Sequence, residues 1–464
     1  MAPSSIEMAH LHEQPEGLTN ANANVQIAKT ISLEDTPPNG GYAWVCTFCV
    51  FMIIIHTWGI NSAWGVILDH FITNSTFPKG TRIDYAFIGG LSISQALLTG
   101  PLVHKAQGVV GTRVLLLLGT LLVSASMLGA AYAREIWHLF LSQGICFGLG
   151  MGLLYIPSMS VLPHWFSSHR SLAMGIAASG AGIGGILYNL ATSYIIQHLG
   201  WRTAYKVLAG CSLGANLVSS ILLKTRKVQH NQQAHALDSR DLKRPEVLFV
   251  IFWGWTTEFG YIALFYSLPN YATSIGLTAK QGSVAGAMLN VGMTIARPLV
   301  GYVSDRFGRI TVPAILTATC SVICLAIWIP ASSYAVLLLF SLLSGMVCGT
   351  FWATITPVLA EVVGLGRMSR TFAITCLALV IPTTVAEPVA LSLVKGSGYL
   401  HTQVFVGCMF LLGSWGLWTL RCWKCFDIER KASYEGGLGA GRSSTFLGFL
   451  KWMGFRKLFM TGRV

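Results

Sequence analysis

Four ionisable residues lie inside stretches that are otherwise apolar: His56 in FMIIIHTWGI, Glu258 in FWGWTTEFGYIALF, Arg297 in NVGMTIARPLVGYV and Glu387 in TTVAEPVA. A charged side chain at hydrocarbon depth costs from about 3 to more than 10 kcal/mol, so a residue of this kind marks a site for a charged ligand, an ion pair or a proton. Other chemistry is missing from the pattern. There is no nucleophile elbow, phosphate loop, zinc-type His/Cys cluster or dinucleotide fingerprint, so no enzyme activity, cofactor or metal is expected.

Depth sorts the four groups. At about 1.5 Å per residue, His56 stands roughly 20 Å from the start of its helix, close to a bilayer midplane. It reads equally well as a neutral histidine bonded to a neighbouring helix and as a proton relay. Arg297 stands about 9 Å, Glu258 about 17 Å and Glu387 about 24 Å from the same side. An extended arginine spans the first gap, so Arg297 and Glu258 are expected to pair when no ligand is present, or to tie two helices together permanently. Glu387 reaches them only if Pro382 and Pro388 bend its helix. Asn61 and Ser62 beyond His56, and Asn290 and Met293 before Arg297, complete the candidate binding set.

The elements that must carry these residues follow from composition. The chain has 464 residues, 53% hydrophobic and 11% charged, with a mean hydropathy of +0.60. A soluble chain carries about 25% charged residues. Twelve apolar runs are long enough to cross a core of about 30 Å, near 43–68, 85–103, 114–133, 138–162, 171–196, 203–223, 247–269, 282–303, 311–329, 334–360, 371–394 and 402–421. The fold expected is an all-α membrane protein of two six-helix bundles, residues 42–223 and 246–421. They are joined by a polar linker, 224–245, and flanked by a disordered cytoplasmic lead, 1–41, and a tail, 422–464.

A net charge of +13 would suggest nucleic acid for a soluble protein, but here its distribution gives orientation, and no nucleic-acid partner is expected. Lys105, Arg113, Arg170, Arg306, Arg309, Arg367, Arg370, the basic linker and the tail fall on one side. Far fewer cations, among them Lys79, Arg82, Arg134, Arg202 and Lys206, fall on the other. The positive-inside rule then places both termini in the cytoplasm and the Asn74-Ser75-Thr76 sequon outside, where Asn74 is a glycosylation candidate. The polar residues before Tyr42 lack the apolar region of a cleavable signal. Most of the eleven cysteines are helix-borne small hydrophobes, and Cys422 and Cys425 read as juxtamembrane thiols, free or palmitoylated. Within the tail, Phe446 to Phe459 alternate with Lys451, Arg456 and Lys457, a basic amphipathic pattern suited to a membrane surface or a frayed end.

Three motifs carry a family resemblance. The run Gly301-x-x-x-Asp305-Arg306-Phe307-Gly308-Arg309 resembles the signature loop of the major facilitator superfamily. Gly100-Pro-Leu-Val-His104-Lys105 is a decayed copy with His104 in the acid's place, the repeat expected of a six-plus-six fold. Trp165-Phe166 through Arg170-Ser-Leu-Ala-Met-Gly-Ile-Ala-Ala-Ser-Gly180 is similar to the second signature of the monocarboxylate transporter family. Gly40-Gly41-Tyr42-Ala43-Trp44 resembles the motif that leads into that family's first helix. The chain as a whole looks most like the family's fungal branch.

The resemblance implies a secondary transporter working by alternating access, in which Arg297 contacts a substrate carboxylate and the loops at 100–105, 170 and 301–309 gate the path. It also exposes departures. Ser62 stands where lactate-type members carry a lysine, and Met293 where proton-coupled members carry an aspartate. With Trp58, Trp64, Trp253, Trp255, Phe259, Tyr261 and Trp352 along the helices, a larger, partly apolar organic acid or metabolite fits better than a three-carbon anion. An anion at Arg297 would displace Glu258 and favour proton uptake. Partners expected are therefore a small organic acid, protons and the lipid bilayer, at the plasma membrane rather than a vacuolar one. Export of a secondary metabolite and a non-transporting receptor that kept the fold are the alternatives.

Overall fold

The structure is a computed structural model that describes residues 37–78, 80–226, 244–394 and 398–435. Residues 1–36 of the lead expected to be disordered, most of the linker and the amphipathic stretch of the tail lie outside the described residues.

Every described element is helical apart from short connections, as an apolar chain requires when no water is present to satisfy its backbone. The order is α1 (Tyr42–Thr73), α2 (Arg82–Leu98, continued by Gly100–Val110), α3 (Thr112–Ala131), α4 (Ile136–His164), α5 (Arg170–Leu199) and α6 (Trp201–Leu222) in the first half. The second half holds α7 (Pro245–Ser274), α8 (Ala279–Phe307), α9 (Thr311–Trp328), α10 (Tyr334–Val363), α11 (Leu365–Ser392) and α12 (Leu400–Glu435). Eleven helices among the described residues are long and apolar enough to cross a membrane, and the apolar part of α2, Phe87–Leu98, is shorter. Two helix starts are fixed by capping boxes, Thr81 with Asp84 and Thr278 with Gln281, each satisfying two otherwise orphaned backbone donors.

The halves meet along two seams, α5 against α8 and α2 against α11. A shift of six helices exchanges one seam for the other, which is the internal symmetry anticipated from the repeated loop. Leu190, Tyr194, Leu299 and Trp415 point away from both seams and are exposed, forming the apolar outer face that lipid covers. The end of the bundle carrying His164, Thr225, Arg309 and Gly364 is called the linker end, and the other the far end.

Three departures from the expected elements bear on the site. α1 passes through a π turn at Ile55–Gly59, and α10 breaks at Gly349. The last helix runs beyond residue 421, the expected boundary of the second bundle, to Glu435. It is held there by packing that composition does not reveal: Arg421 Nε donates to Thr311 Oγ1 at 2.9 Å, Lys424 Nζ donates to the Glu361 carbonyl at 2.7 Å, and Cys422 and Phe426 pack on Phe249.

Candidate functional site

Arg297 lies midway along α8, 5% exposed, at the seam between halves. Its Nη1 donates to the Ala178 carbonyl of α5 at 2.6 Å, its Nη2 approaches Met293 Sδ at 3.6 Å, and its Nε has no partner. Such close contact needs small residues on α5. A Cβ on Gly175 would strike the Arg297 carbonyl oxygen, and one on Gly182 the Thr294 hydroxyl. The flat face of the guanidinium lies against the break in α10, where a Cβ on Gly349 would stand 3.0 Å from Nη2.

Beside the guanidinium is an aromatic corner. Trp58 meets Tyr155 edge-on with ring centroids 5.3 Å apart, and Trp352 lies 6.0 Å from Trp58 and 6.1 Å from Tyr155. The Trp58 indole N–H has no partner. Arg297 lines two adjoining spaces. One, of about 70 Å³, lies among Trp58, Tyr155, Tyr261 and Trp352. The other, of about 240 Å³, runs past Asn61, Ser62 and Asn290 to Leu68 and Tyr266 toward the far end, where Tyr266 is 39% exposed.

Toward the linker end the seam is sealed. Asp305 accepts from the first turn of α5, from Ser171 N at 3.0 Å and Leu172 N at 2.8 Å, so a carboxylate sits on the positive end of a helix dipole. Arg309 joins Asp305 at 3.1 Å to Glu361 at 3.3 Å and donates to the Ser167 carbonyl. Gly308, at φ 123°, turns the chain so that Arg309 can do this. Gly301 abuts the Ser171 carbonyl, and Arg170 Nε donates to the carbonyls of Phe166 and Pro163. Arg306 is exposed, with its guanidinium on the Tyr302 hydroxyl at 3.4 Å.

Of the expected binding set, Arg297, Met293, Asn290, Asn61 and Ser62 line the larger space together. His56 does not. Two residues along a helix turn the chain by about 200°, so with Trp58 facing the cavity His56 faces away. Its Nδ1 lies 2.8 Å from the Met52 carbonyl, and its ring packs edge-on against Tyr188.

The expected Arg297–Glu258 pair is not formed either. Glu258 is 2% exposed, its Oε1 has no hydrogen-bond partner, and the Trp352 side chain lies beside it. Depth along two helices sets how high each group stands, but not which way it turns. The side chain of Glu387 lies outside the described residues. Asn74 is exposed at the far end, with its amide on the His70 carbonyl at 2.9 Å.

Trp58, Trp64, Tyr261 and Trp352 of the expected aromatic lining face the spaces around Arg297. Trp253 instead stacks edge-on against Phe351, and Trp255 donates to the Ala378 carbonyl. Tyr155 was not anticipated. The signal available for it was its place as the one large polar ring between the glycines of α4 and Pro157.

Comparison with known proteins gives the family and the fold. A profile of the Major Facilitator Superfamily matches residues 44–387. The chain is 33% identical over 421 residues to a protein named "Probable transporter MCH2" from Saccharomyces cerevisiae, covering 88% of this chain and 89% of that one. It is 23% identical to the "Fujikurins efflux protein" of Gibberella fujikuroi, over 82% of this chain and 83% of that one. Among solved structures, the proton:xylose symporter XylE has the same fold with a TM-score of 0.64 at 14% identity, over 82% of this chain and 96% of that one.

Proposed function

This chain belongs to the Major Facilitator Superfamily, and from that membership we propose that it transports a partly apolar organic acid whose carboxylate is received by Arg297. The observation that carries the reading is an arginine in a cavity wall with one N–H unpartnered and, among the described residues, no carboxylate paired with it. The aromatic corner of Trp58, Tyr155, Tyr261 and Trp352 supplies apolar contact for the rest of the molecule. The unpartnered indole N–H of Trp58 is a second donor for the same acid group. This departs from a lactate-type carrier, because Ser62 and Met293 add neither a cation nor an acid to the lining. It keeps the fungal branch of the monocarboxylate family as the nearest description.

With the linker end in the cytoplasm, the conformation is closed inward, and the larger space runs toward the outside. Glu258 takes the coupling proton: among the described residues it is the buried carboxyl within reach of the guanidinium's field, and an anion arriving at Arg297 changes the field it feels. Transport reverses with the gradients. The similarity to an efflux protein favours export of a metabolite over uptake as the second reading.

Purified protein in proteoliposomes, tested with a panel of aromatic and branched-chain carboxylates, decides the matter. A charge-assisted hydrogen bond is worth about 1.5–3 kcal/mol, so Arg297→Ala should lower kcat/KM by roughly tenfold to a hundredfold. Equal flux of the same acids through Arg297→Ala and the unaltered protein would refute the assignment. Saturable binding of an acid without flux would indicate a receptor instead.

A further inference from the structure

The repeat at 100–105 differs from its intact copy at 301–309, and a cavity lies beside it. Gly301 packs on the Ser171 carbonyl across one seam, and Gly100 packs on the Ala373 carbonyl across the other, so the two loops occupy equivalent places. Four residues on, Asp305 receives two backbone N–H groups and the Arg309 guanidinium. The matching residue of the first copy is His104, which brings no negative charge.

In place of that carboxylate there is a space of about 290 Å³, room for on the order of ten waters at about 30 Å³ each. His104, His164 and Arg226 stand on its walls, with Gln107, Thr112 and Ser369 adding neutral polar groups and no acid among the described residues of the lining. Arg370 adds its field: burial first, and then this guanidinium, hold the His104 imidazole below its ordinary value. His164 turns its Nδ1 to the Ser160 carbonyl at 2.9 Å, which leaves a His104 ring N–H, the hydroxyls and the guanidinium as donors around one volume, a set that suits a tetrahedral oxyanion with several acceptor oxygens better than a single halide.

We propose that this cavity, at the linker end between α2, α4 and α11, is a binding site for a phosphate group. The group supplies at the α2–α11 seam the negative charge that Asp305 supplies at α5–α8. A soluble phosphorylated compound and the headgroup of an anionic lipid share this chemistry.

Two arms separate the sources. Inorganic phosphate is titrated by calorimetry against the protein in nanodiscs of phosphatidylcholine alone. Thermal stability is compared between those discs and discs containing a phosphatidylinositol phosphate. Binding of free phosphate identifies a soluble ligand, and stabilisation by the anionic lipid without phosphate binding identifies a headgroup.

In either case His104→Asp, which copies the residue of the other repeat, should weaken the effect at least tenfold. Arg226→Gln, which removes the guanidinium charge from the wall, should weaken it severalfold and stands as the test if the first variant fails to fold. The proposal is overturned if neither probe acts on the unaltered protein, or if both variants respond as it does. Neither arm measures flux, so the result is independent of the assignment of Arg297.

Discussion

The guanidinium of Arg297 is shared between a backbone carbonyl and a thioether, with its Nε left unpartnered. That arrangement depends on a planar fork rather than on charge alone, because a lysine offers a single rotating ammonium. Arg297→Lys should therefore keep the fold but lose at least tenfold in kcat/KM for the acid, read by flux alongside an unchanged melting temperature. Glu258→Gln keeps the shape of the buried carboxyl and removes its ability to take up a proton. It should abolish stimulation by a pH gradient while leaving counterflow exchange of the acid intact, and persistent gradient-driven uptake would rule Glu258 out. Arg297 was legible because a cation in an apolar run is costly. The carbonyl of Ala178 as its partner was not, since backbone acceptors carry no signature in the sequence. Rise per residue also could not say that Glu258 turns toward Trp352.

At the scale of the helix, long apolar runs showed where the helices are, while their irregularities stayed hidden. The π turn of α1 lies where Gly59 and Gly184 let α1 and α5 touch backbone to backbone. An added Cβ at Gly184 would stand 2.7 Å from the Ile55 carbonyl oxygen and 2.8 Å from the Gly59 Cα. Both atoms are backbone, so relief requires moving a helix, and Gly184→Ala should cost about 1–3 kcal/mol, seen as a lowered melting temperature in detergent. Gly210→Ala is the control. Nothing lies within 4 Å of an added Cβ there, so this helical substitution should be neutral or stabilise by up to about 1 kcal/mol. A glycine in the sequence reads the same in either setting, and only the neighbouring helix distinguishes them.

For the whole molecule, the closed linker end rests on few contacts. Asp305→Asn removes the charge that holds the start of α5 and the Arg309 guanidinium, bonds worth about 1.5–3 kcal/mol each. A maleimide applied to the linker end should then label a cysteine introduced at Ser171, buried in this conformation, at least fivefold faster than in the unaltered background. An unchanged rate would mean that the seal lies elsewhere. The intact loop, its decayed copy and the two-bundle plan were all visible in the sequence, because the repeat preserves residue types at fixed spacing. The difference in how the two copies pack was not, since it depends on residues from the opposite half.

The bond from Arg297 to the Ala178 carbonyl has a consequence for the unloaded carrier. It is a bolt drawn from α8 to α5 across the joint between the halves, and the role proposed for Arg297 gives the same side chain the task of grasping the cargo. On that proposal an acid guest drawn to the Nε side would turn the guanidinium and slip the bolt, whereas a neutral guest of the same shape would leave it shot. Loading and unlatching would then be one event.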